Sequence, residues 1–225
     1  MQPKTDDYKV KLISAADRAD ASIVNAKKKV VVFDVTPDIN ESRTVNYTHV
    51  SPVHAPGQFY MYVNTQSRQY SLSNVKLVSR TAKEARDNIQ KLNTLRGWME
   101  PYFGSTAEAG KYDPFQVAQQ TLTKRLGAPP EILLFSAYSS SSTADGGNFK
   151  GNINRVPVVV LSMSIPYVSD TDYIPTEPRD QNDPLGGVPF PAIMTLDIQL
   201  AETHSPYEYS NFNLAKYQAG ILDSF

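Results

Sequence analysis

Cysteine is absent from the 225-residue chain. This absence excludes disulfide bonds, thiol nucleophiles, zinc ribbons and cysteine-ligated iron–sulfur clusters. Histidine is scarce, with His49, His54 and His204 as the full set. Alternation along one strand would put His49 and His54 on opposite faces, which is unfavourable for shared metal ligation. We therefore expect no metal site.

An excess of positive charge is also lacking, because 22 Lys and Arg stand against 23 Asp and Glu, for a formal net charge of -1. A protein whose main task is gripping the outside of a nucleic acid depends on phosphate neutralisation by Lys and Arg, so that class is disfavoured, although a local basic patch stays open. The opening "MQPKTDDYKVKLISAADRAD" lacks the apolar centre of a signal peptide. No stretch approaches the ~20 apolar residues of a membrane span. We expect neither export by a cleaved signal nor a membrane partner.

Catalytic motifs are missing as well. There is no G-x-S-x-G elbow, and "GGNFKG" lacks the spacing of a phosphate-binding loop. Glu202, His204 and Ser205 come together at the end of a strand pattern, which raises the alternative of a hydrolase. Alternation puts Glu202 and His204 on one face and turns Ser205 away, so a polar strand end is the better interpretation. We expect no enzyme activity.

Strand patterns dominate what is present. The first third of the chain, about residues 1–80, contains successive β-branched and aromatic runs bounded by turn residues, typical of antiparallel strands. The segments are 9–13, 30–35, 44–50, 59–63 and 70–78. The run from Val30 to Val35 predicts a strand buried on both faces.

One helix is clear, at about residues 81–99. Thr81 and Glu84 have the spacing of a capping box, in which each side chain accepts a hydrogen bond from the other residue's backbone amide. A narrow apolar stripe predicts packing on the flank of a sheet. Its members are Ala82, Ala85, Ile89, Leu92 and Met99. A shorter helix is predicted at 114–126.

A second set of strands is predicted over residues 131–204. Two of its strands have a bulky face and a small or polar face, and period-two patterning assigns the bulky face to the core. The polar-face residues are Ser162, Ser164, Thr195, Asp197 and Gln199. Long polar loops are predicted at 139–152 and 169–191, and a C-terminal helical turn at 207–222. Together the elements predict a single, mostly β (α+β) domain over residues 1–225.

The second half of the chain carries a series of segments that match a known family in order. They are "LRGWMEPYFG" (Leu95–Gly104), "GAPPEILLFSAY" (Gly127–Tyr138), "NINRVPVVVLSMSIPY" (Asn152–Tyr167), "DTDYIPT" (Asp170–Thr176) and "PAIMTLDIQLAETHSPYEYSNFNLAKYQAGIL" (Pro191–Leu222). This series, covering roughly Thr81–Leu222, resembles the baseplate tail-tube cap proteins of contractile-tailed bacteriophages, relatives of the tail-tube initiator and tail-tube proteins.

The resemblance implies a tail-tube fold, an antiparallel β-sandwich or small barrel with a flanking α-helix. It implies a homo-hexameric ring in the virion, assembled in the host cytoplasm. That ring sits on the baseplate hub and nucleates the tail tube around a channel for DNA. No enzyme activity, metal or cofactor is implied. A tube initiator, or the tube protein of a related injection machine, is the alternative within this class.

A channel that passes DNA needs walls that do not bind phosphate, and each added cation would give sequence-independent attraction. We therefore hypothesise that Ser162, Ser164, Thr195, Asp197 and Gln199 face the channel. The alternative is that they face bulk solvent or a neighbouring subunit.

A competitor from another class is a stand-alone β-sandwich that binds a small ligand or carbohydrate. A cluster of exposed aromatic residues around a loop would be its sign, and Tyr207, Tyr209 and Tyr217 keep that interpretation open.

Overall fold

A computed structural model describes residues 9–15, 30–54, 56–101, 129–138, 153–178 and 183–219. The strands are β1 (Lys11–Ser14), β2 (Val30–Val32), β3 (Asp38–Ser42), β4 (Val45–Val50), β5 (Phe59–Thr65), β6 (Gln69–Val78), β7 (Leu133–Ala137), β8 (Ile153–Ser164), β9 (Tyr173–Pro175), β10 (Pro189–Pro191) and β11 (Ile193–Glu202). The helices are α1 (Ala82–Gly97), α2 (Pro206–Ser210) and α3 (Leu214–Gln218). The helix predicted at 114–126 and the loop predicted at 139–152 lie outside the described residues.

Seven strands form one antiparallel sheet in the order β2-β1-β7-β8-β11-β6-β3. The pairs β4–β5 and β9–β10 form two small two-stranded sheets. The mostly β fold class with a large antiparallel sheet and few helices is therefore confirmed. Within the described ranges the sheet does not close into a barrel, because β2 and β3 remain its two ends.

The sheet curls around its own apolar face. Tyr70 on β6 and Phe135 on β7 are three strand positions apart, which is about 14 Å along a flat sheet, yet their ring centroids are 5.2 Å apart. The two flanks of the sheet therefore face each other across the core, which gives the sandwich-like character. Core side chains alternate with polar ones along β6 and β11, as period-two patterning requires.

Helix α1 packs on the flank of this sheet, as the stripe predicted. Its buried apolar side chains are Ala85, Leu92 and Leu95, and the buried Trp98 follows at the C-cap. Asn88 Nδ2 secures the helix to the end of β6 by donating to the backbone oxygen of Val78, at 2.9 Å. The sequence stripe found Ala85 and Leu92 but missed Leu95 and Trp98.

Only one of the two hydrogen bonds of the capping box predicted for α1 is formed. Thr81 Oγ1 accepts a hydrogen bond from the Glu84 amide, at 3.2 Å, as predicted. Glu84 Oε2 accepts from the amide of Arg80 instead of that of Thr81, at 2.8 Å. A complete capping box occurs at α2, where Ser205 and Glu208 satisfy each other, and there the sequence analysis predicted only a helical turn.

The expectation for residues 30–35 was wrong. Only Val30–Val32 form a strand, β2, which is an edge strand in the described part of the chain. Val31 and Phe33 are buried, whereas Val30 and Val35 are 41% and 38% exposed. An apolar β-branched run does not by itself distinguish a central strand from an edge strand, because both patterns are equally apolar. The prediction that residues 169–191 form only a loop was also wrong, because the described residues of this segment include β9 and β10.

Replacing Phe135 by Ala is expected to lower the free energy of unfolding by about 3–5 kcal/mol, because a buried ring is removed from the centre of the core. Urea denaturation followed by circular dichroism measures the change. The control is Tyr60→Ala on β5, where the ring is 69% exposed and a change below about 0.5 kcal/mol is expected. Equal losses in the two variants would contradict the core assignment.

Candidate assembly surfaces

The five residues predicted to share a polar face do lie together. On neighbouring strands β8 and β11, Asp197 lies opposite Ser164 and Gln199 lies opposite Ser162. Thr195 is two residues further along β11 on the same side, and the side chains between them point into the core. The strands therefore present one polar surface, as the alternation predicted. Whether this surface faces a channel stays a prediction.

The surface continues across two further strands that the sequence analysis did not connect to it. Ser71 on β6 lies opposite Gln199, and Asn40 on β3 lies opposite Ser71. One uncharged row thus runs through Asn40, Ser71, Gln199 and Ser162 across four strands. We call the solvent-side surface of β8, β11, β6 and β3 the polar face.

The polar face carries little charge. Where these strands pair with one another, its ionisable residues are Asp38, Asp197 and Lys76, and Lys76 lies opposite Thr195. Arg155 is also exposed on β8, near the beginning of that strand. Strands β8 and β11 have no lysine on this face, and Lys76 lies on β6. Asp197 also has a structural role, because its Oδ1 accepts from the amide of Asn74, at 2.9 Å, where the ladder is irregular and Asn74 has a φ of 56°.

A second surface projects from the sheet. Strands β4 and β5 pair only with each other among the described strands, and the chain between Arg43 and Arg68 has no Lys, Arg, Asp or Glu. We call residues 45–65 the arm. Isolated two-stranded hairpins are marginally stable in water, so an arm with exposed apolar side chains indicates a contact with another surface.

The two faces of the arm differ. Tyr47 lies opposite Tyr62 and His49 opposite Tyr60, so one face is aromatic and bears hydroxyl groups. The other face is mixed, with Asn46 donating to Asn64 near its base, at 2.8 Å. It carries Thr48 opposite Met61 and Val50 opposite Phe59. Phe59 and Met61 are 63% and 52% exposed.

The arm is a continuation of the β3–β6 ladder beyond the end of the sheet. Ser42 on β3 lies opposite Gln69 on β6, and immediately beyond this pair the Gln66 amide donates to the Thr44 oxygen, at 2.9 Å. The two strands that leave the sheet therefore stay hydrogen-bonded as they become the arm. Its direction is set where it leaves the sheet.

A buried ionic cluster occupies that point. Arg68 donates from Nε to Glu202 Oε2 at 2.8 Å and from Nη2 to Glu202 Oε1 at 2.9 Å, with side-chain exposures of 9% and 1%. Arg68 Nη1 also donates to Glu41 Oε1 on β3, at 3.3 Å. A bidentate guanidinium–carboxylate pair has a fixed planar geometry, so it holds the ends of β6, β11 and β3 in one arrangement.

Electrostatics in the cluster favour this ion pair. Burial is the largest single effect and would lower the pKa of Arg68, but the hydrogen bonds to Glu202 and the charge interactions with Tyr70, Glu202 and Tyr217 together outweigh burial and raise the pKa above the ordinary value. Burial also raises the pKa of Tyr70, whose ring lies 5.7 Å below the guanidinium carbon of Arg68. Both groups therefore keep their protons throughout the physiological range.

The residues considered for a hydrolase have structural partners. His204 Nε2 lies 3.0 Å from Glu202 Oε1, as their shared strand face predicted. The Ser205 hydroxyl caps α2 by accepting from the Glu208 amide, at 3.3 Å, and donates to Glu208 Oε2, at 3.0 Å. The hydrogen bond that the Ser205 amide donates to Glu208 is the largest of the effects that lower the pKa of Glu208.

The aromatic residues expected of a ligand-binding module are spread along the C-terminal helices. The Tyr209 ring packs edge-on against His204, at 5.6 Å, and Tyr217 packs against Phe212, at 5.9 Å. Tyr207 is 76% exposed. Two of the three tyrosines are thus engaged within the chain.

A cleft of about 680 Å³ lies between α1 and β2. Its wall includes Asp34, which forms ion pairs with Lys91 at 2.7 Å and Lys9 at 3.5 Å. Burial would raise the pKa of Asp34, but the two lysines outweigh it and lower the pKa. Charges of both signs line this cleft, and no local sequence pattern indicates it.

No family model and no curated protein matches the chain in the comparisons. Over the part of the chain that the structure describes, no helix has the length and apolar character needed to cross a membrane. His, Asp and Glu side chains do not gather into a metal-ligating group within those same residues.

Replacing Arg68 by Met is expected to lower the free energy of unfolding by about 3–5 kcal/mol, because the carboxylate of Glu202 stays buried without its main partner. The double variant Arg68→Met/Glu202→Leu should recover much of the loss, since an apolar pair leaves no unpaired charge. Chemical denaturation measures both, with Arg43→Met at an exposed position as the control. A double variant as unstable as the single one would contradict the ion-pair account.

Proposed function

We propose that the protein is a structural component of a phage-type contractile tail, which forms a homo-hexameric ring on the baseplate hub and nucleates the tail tube. The ring leaves a channel through which DNA passes without specific binding. The observation that carries this proposal is an open sheet whose solvent-side face is polar and nearly uncharged. The resemblance of the second half of the chain to tail-tube cap proteins supplies the biological setting.

The open sheet supports ring formation through its ends. Strands β2 and β3 form the two different edges of the sheet. A contact between β2 of one copy and β3 of the next is therefore heterologous. Heterologous contacts close into rings when the rotation between subunits permits. Joining the two edges would also pair backbone groups that each described edge leaves open.

The polar face supports the channel. Hydroxyl and amide side chains can hydrogen-bond water without attracting phosphate, and Lys76 is offset by Asp38 and Asp197. A wall of this kind gives DNA no counterion-release gain, which is the main source of sequence-independent affinity. The five residues Ser162, Ser164, Thr195, Asp197 and Gln199 are proposed to line the opening.

Light scattering after size exclusion, with electron microscopy of the same fractions, tests the ring. Six copies of the 25.0 kDa chain correspond to about 150 kDa. Val30→Lys is expected to abolish this species without unfolding the subunit, because a charge on an edge strand blocks strand pairing. Val30→Thr, which keeps the branched side chain without the charge, is the matched control. A ring unaffected by Val30→Lys would exclude the β2 edge from the contact.

Gln199→Lys is expected to make the assembled ring retain duplex DNA, with a salt slope of about −0.9 per phosphate neutralised. Gln199→Glu should behave like the unmodified protein. A closed ring admits DNA only at a free end, so linear duplex should be retained and covalently closed circles should not. Equal retention of circles would place Gln199 on the outside of the ring. Filter binding at graded salt measures both forms.

A further inference from the structure

The large sheet has an odd number of strands in the described part of the chain. Its seven strands form six ladders, and every one of these ladders is antiparallel. The chain direction therefore reverses at each step from β2 to β3, and an even number of reversals restores the starting direction. The two strands at the ends of the sheet thus run in the same sense along it.

The edge at β2 has room beside it. A cleft of about 680 Å³ lies along Val30 and Val31, with α1 as its opposite wall. Paired strands lie only about 4.8 Å apart, so α1 leaves this end of the sheet open to a further strand. At the other end of the sheet, β3 is exposed along most of its length. Both edges can therefore meet an edge of another copy.

The ends of the two edge strands differ in charge. Residues 27–29, which directly precede β2, are three lysines. Strand β3 begins with Asp38, and Arg43 directly follows its last residue. In a parallel contact the lysine-bearing end of β2 meets Asp38, whereas in an antiparallel contact it meets Arg43. Like charges on paired strands are destabilising, so charge favours the parallel contact.

We propose that β2 of one copy pairs with β3 of the next copy in the parallel sense. In a ring generated by rotation about one axis, each strand keeps its sense along that axis in every copy. Strands of a closed sheet are tilted by about 35–45° from the axis, so β3 and the neighbouring copy's β2 run the same way along it. This polarity rests on the proposed function, because it follows only if the sheet edges close a ring.

Alternation sets the register of this pairing. Residues side by side on paired strands lie on the same side of the sheet. Val31 is buried in the core and Ile39 packs against the core, so Val31 of one copy is placed beside Ile39 of the next. Val30 then lies beside Asp38 on the solvent side, and the core side stays continuous across the contact.

Disulfide trapping tests the polarity, because the chain has no cysteine of its own. Val30→Cys or Val32→Cys is made in one chain and Asp38→Cys or Ser42→Cys in another, with tags of different size. All four positions alternate with core positions and so lie on the solvent side. Each of the four mixtures is oxidised, and the covalent heterodimer is measured.

Parallel pairing predicts that Val30→Cys is trapped several-fold more by Asp38→Cys than by Ser42→Cys. Moving the first cysteine to position 32 should shift the trapping toward Ser42→Cys. An antiparallel contact gives the opposite shift in any register, and that result would overturn the proposal.

Light scattering of the same mixtures separates this inference from the proposed function. Rings with the antiparallel shift, or rings in which the cysteine variants link only to themselves, would overturn the parallel contact and leave the ring. Parallel trapping in assemblies that are not rings would support the contact and count against the ring. Neither trapping nor rings would overturn both.

Two matched lysine substitutions give a second measurement. Asp38→Lys should weaken association several-fold, because it brings a cation to the lysine-bearing end of the neighbouring β2. Ser42→Lys places the same side chain at the other end of β3 and should weaken association less. Salt should reduce the difference by screening. A larger effect of Ser42→Lys would contradict the parallel sense.

Discussion

The buried pair of Arg68 and Glu202 fixes the point where the sheet ends and the arm begins. Three strands meet there, and the guanidinium holds β11 through Glu202 and β3 through Glu41. A buried ion pair is weak evidence for net stability, because desolvation offsets most of the attraction. Its contribution is geometric. A bidentate pair holds the guanidinium and the carboxylate in one relative orientation, and this fixes the direction in which β4 and β5 leave the sheet.

The same strands that this pair aligns carry the two surfaces from which function is argued. Along β6 and β11, one side contributes Tyr70, Leu72, Leu196 and Ile198 to the core, and the other side contributes the polar face. The seven-stranded sheet ends at Arg68, so the strands of the arm have no core against which to pack. The chain then has apolar residues without a core, and that is the physical reason for expecting a second protein surface.

The sequence predicted the parts that depend on local periodicity. Alternation alone placed Ser162 and Gln199 on one side of their strands, and the helix was located by Thr81 and its apolar stripe. The order of the strands in the sheet could not be predicted from local patterns, so the continuation of the polar row into Ser71 and Asn40 was missed. The pair of Arg68 and Glu202 joins residues 134 apart in sequence, and no local pattern encodes it. The charge-free stretch between Arg43 and Arg68 was a readable signal of the arm.

Hydrogen exchange, compared between dilute and assembled protein, tests most directly whether the subunit is an incomplete unit that other copies finish. Amides with few buried neighbours open locally at low cost and exchange fast. The account predicts fast exchange in β2, β3, β4 and β5 of the dilute subunit and slow exchange after assembly, with β11 protected in both. Equally slow exchange of the arm and both sheet edges in the dilute subunit would contradict it.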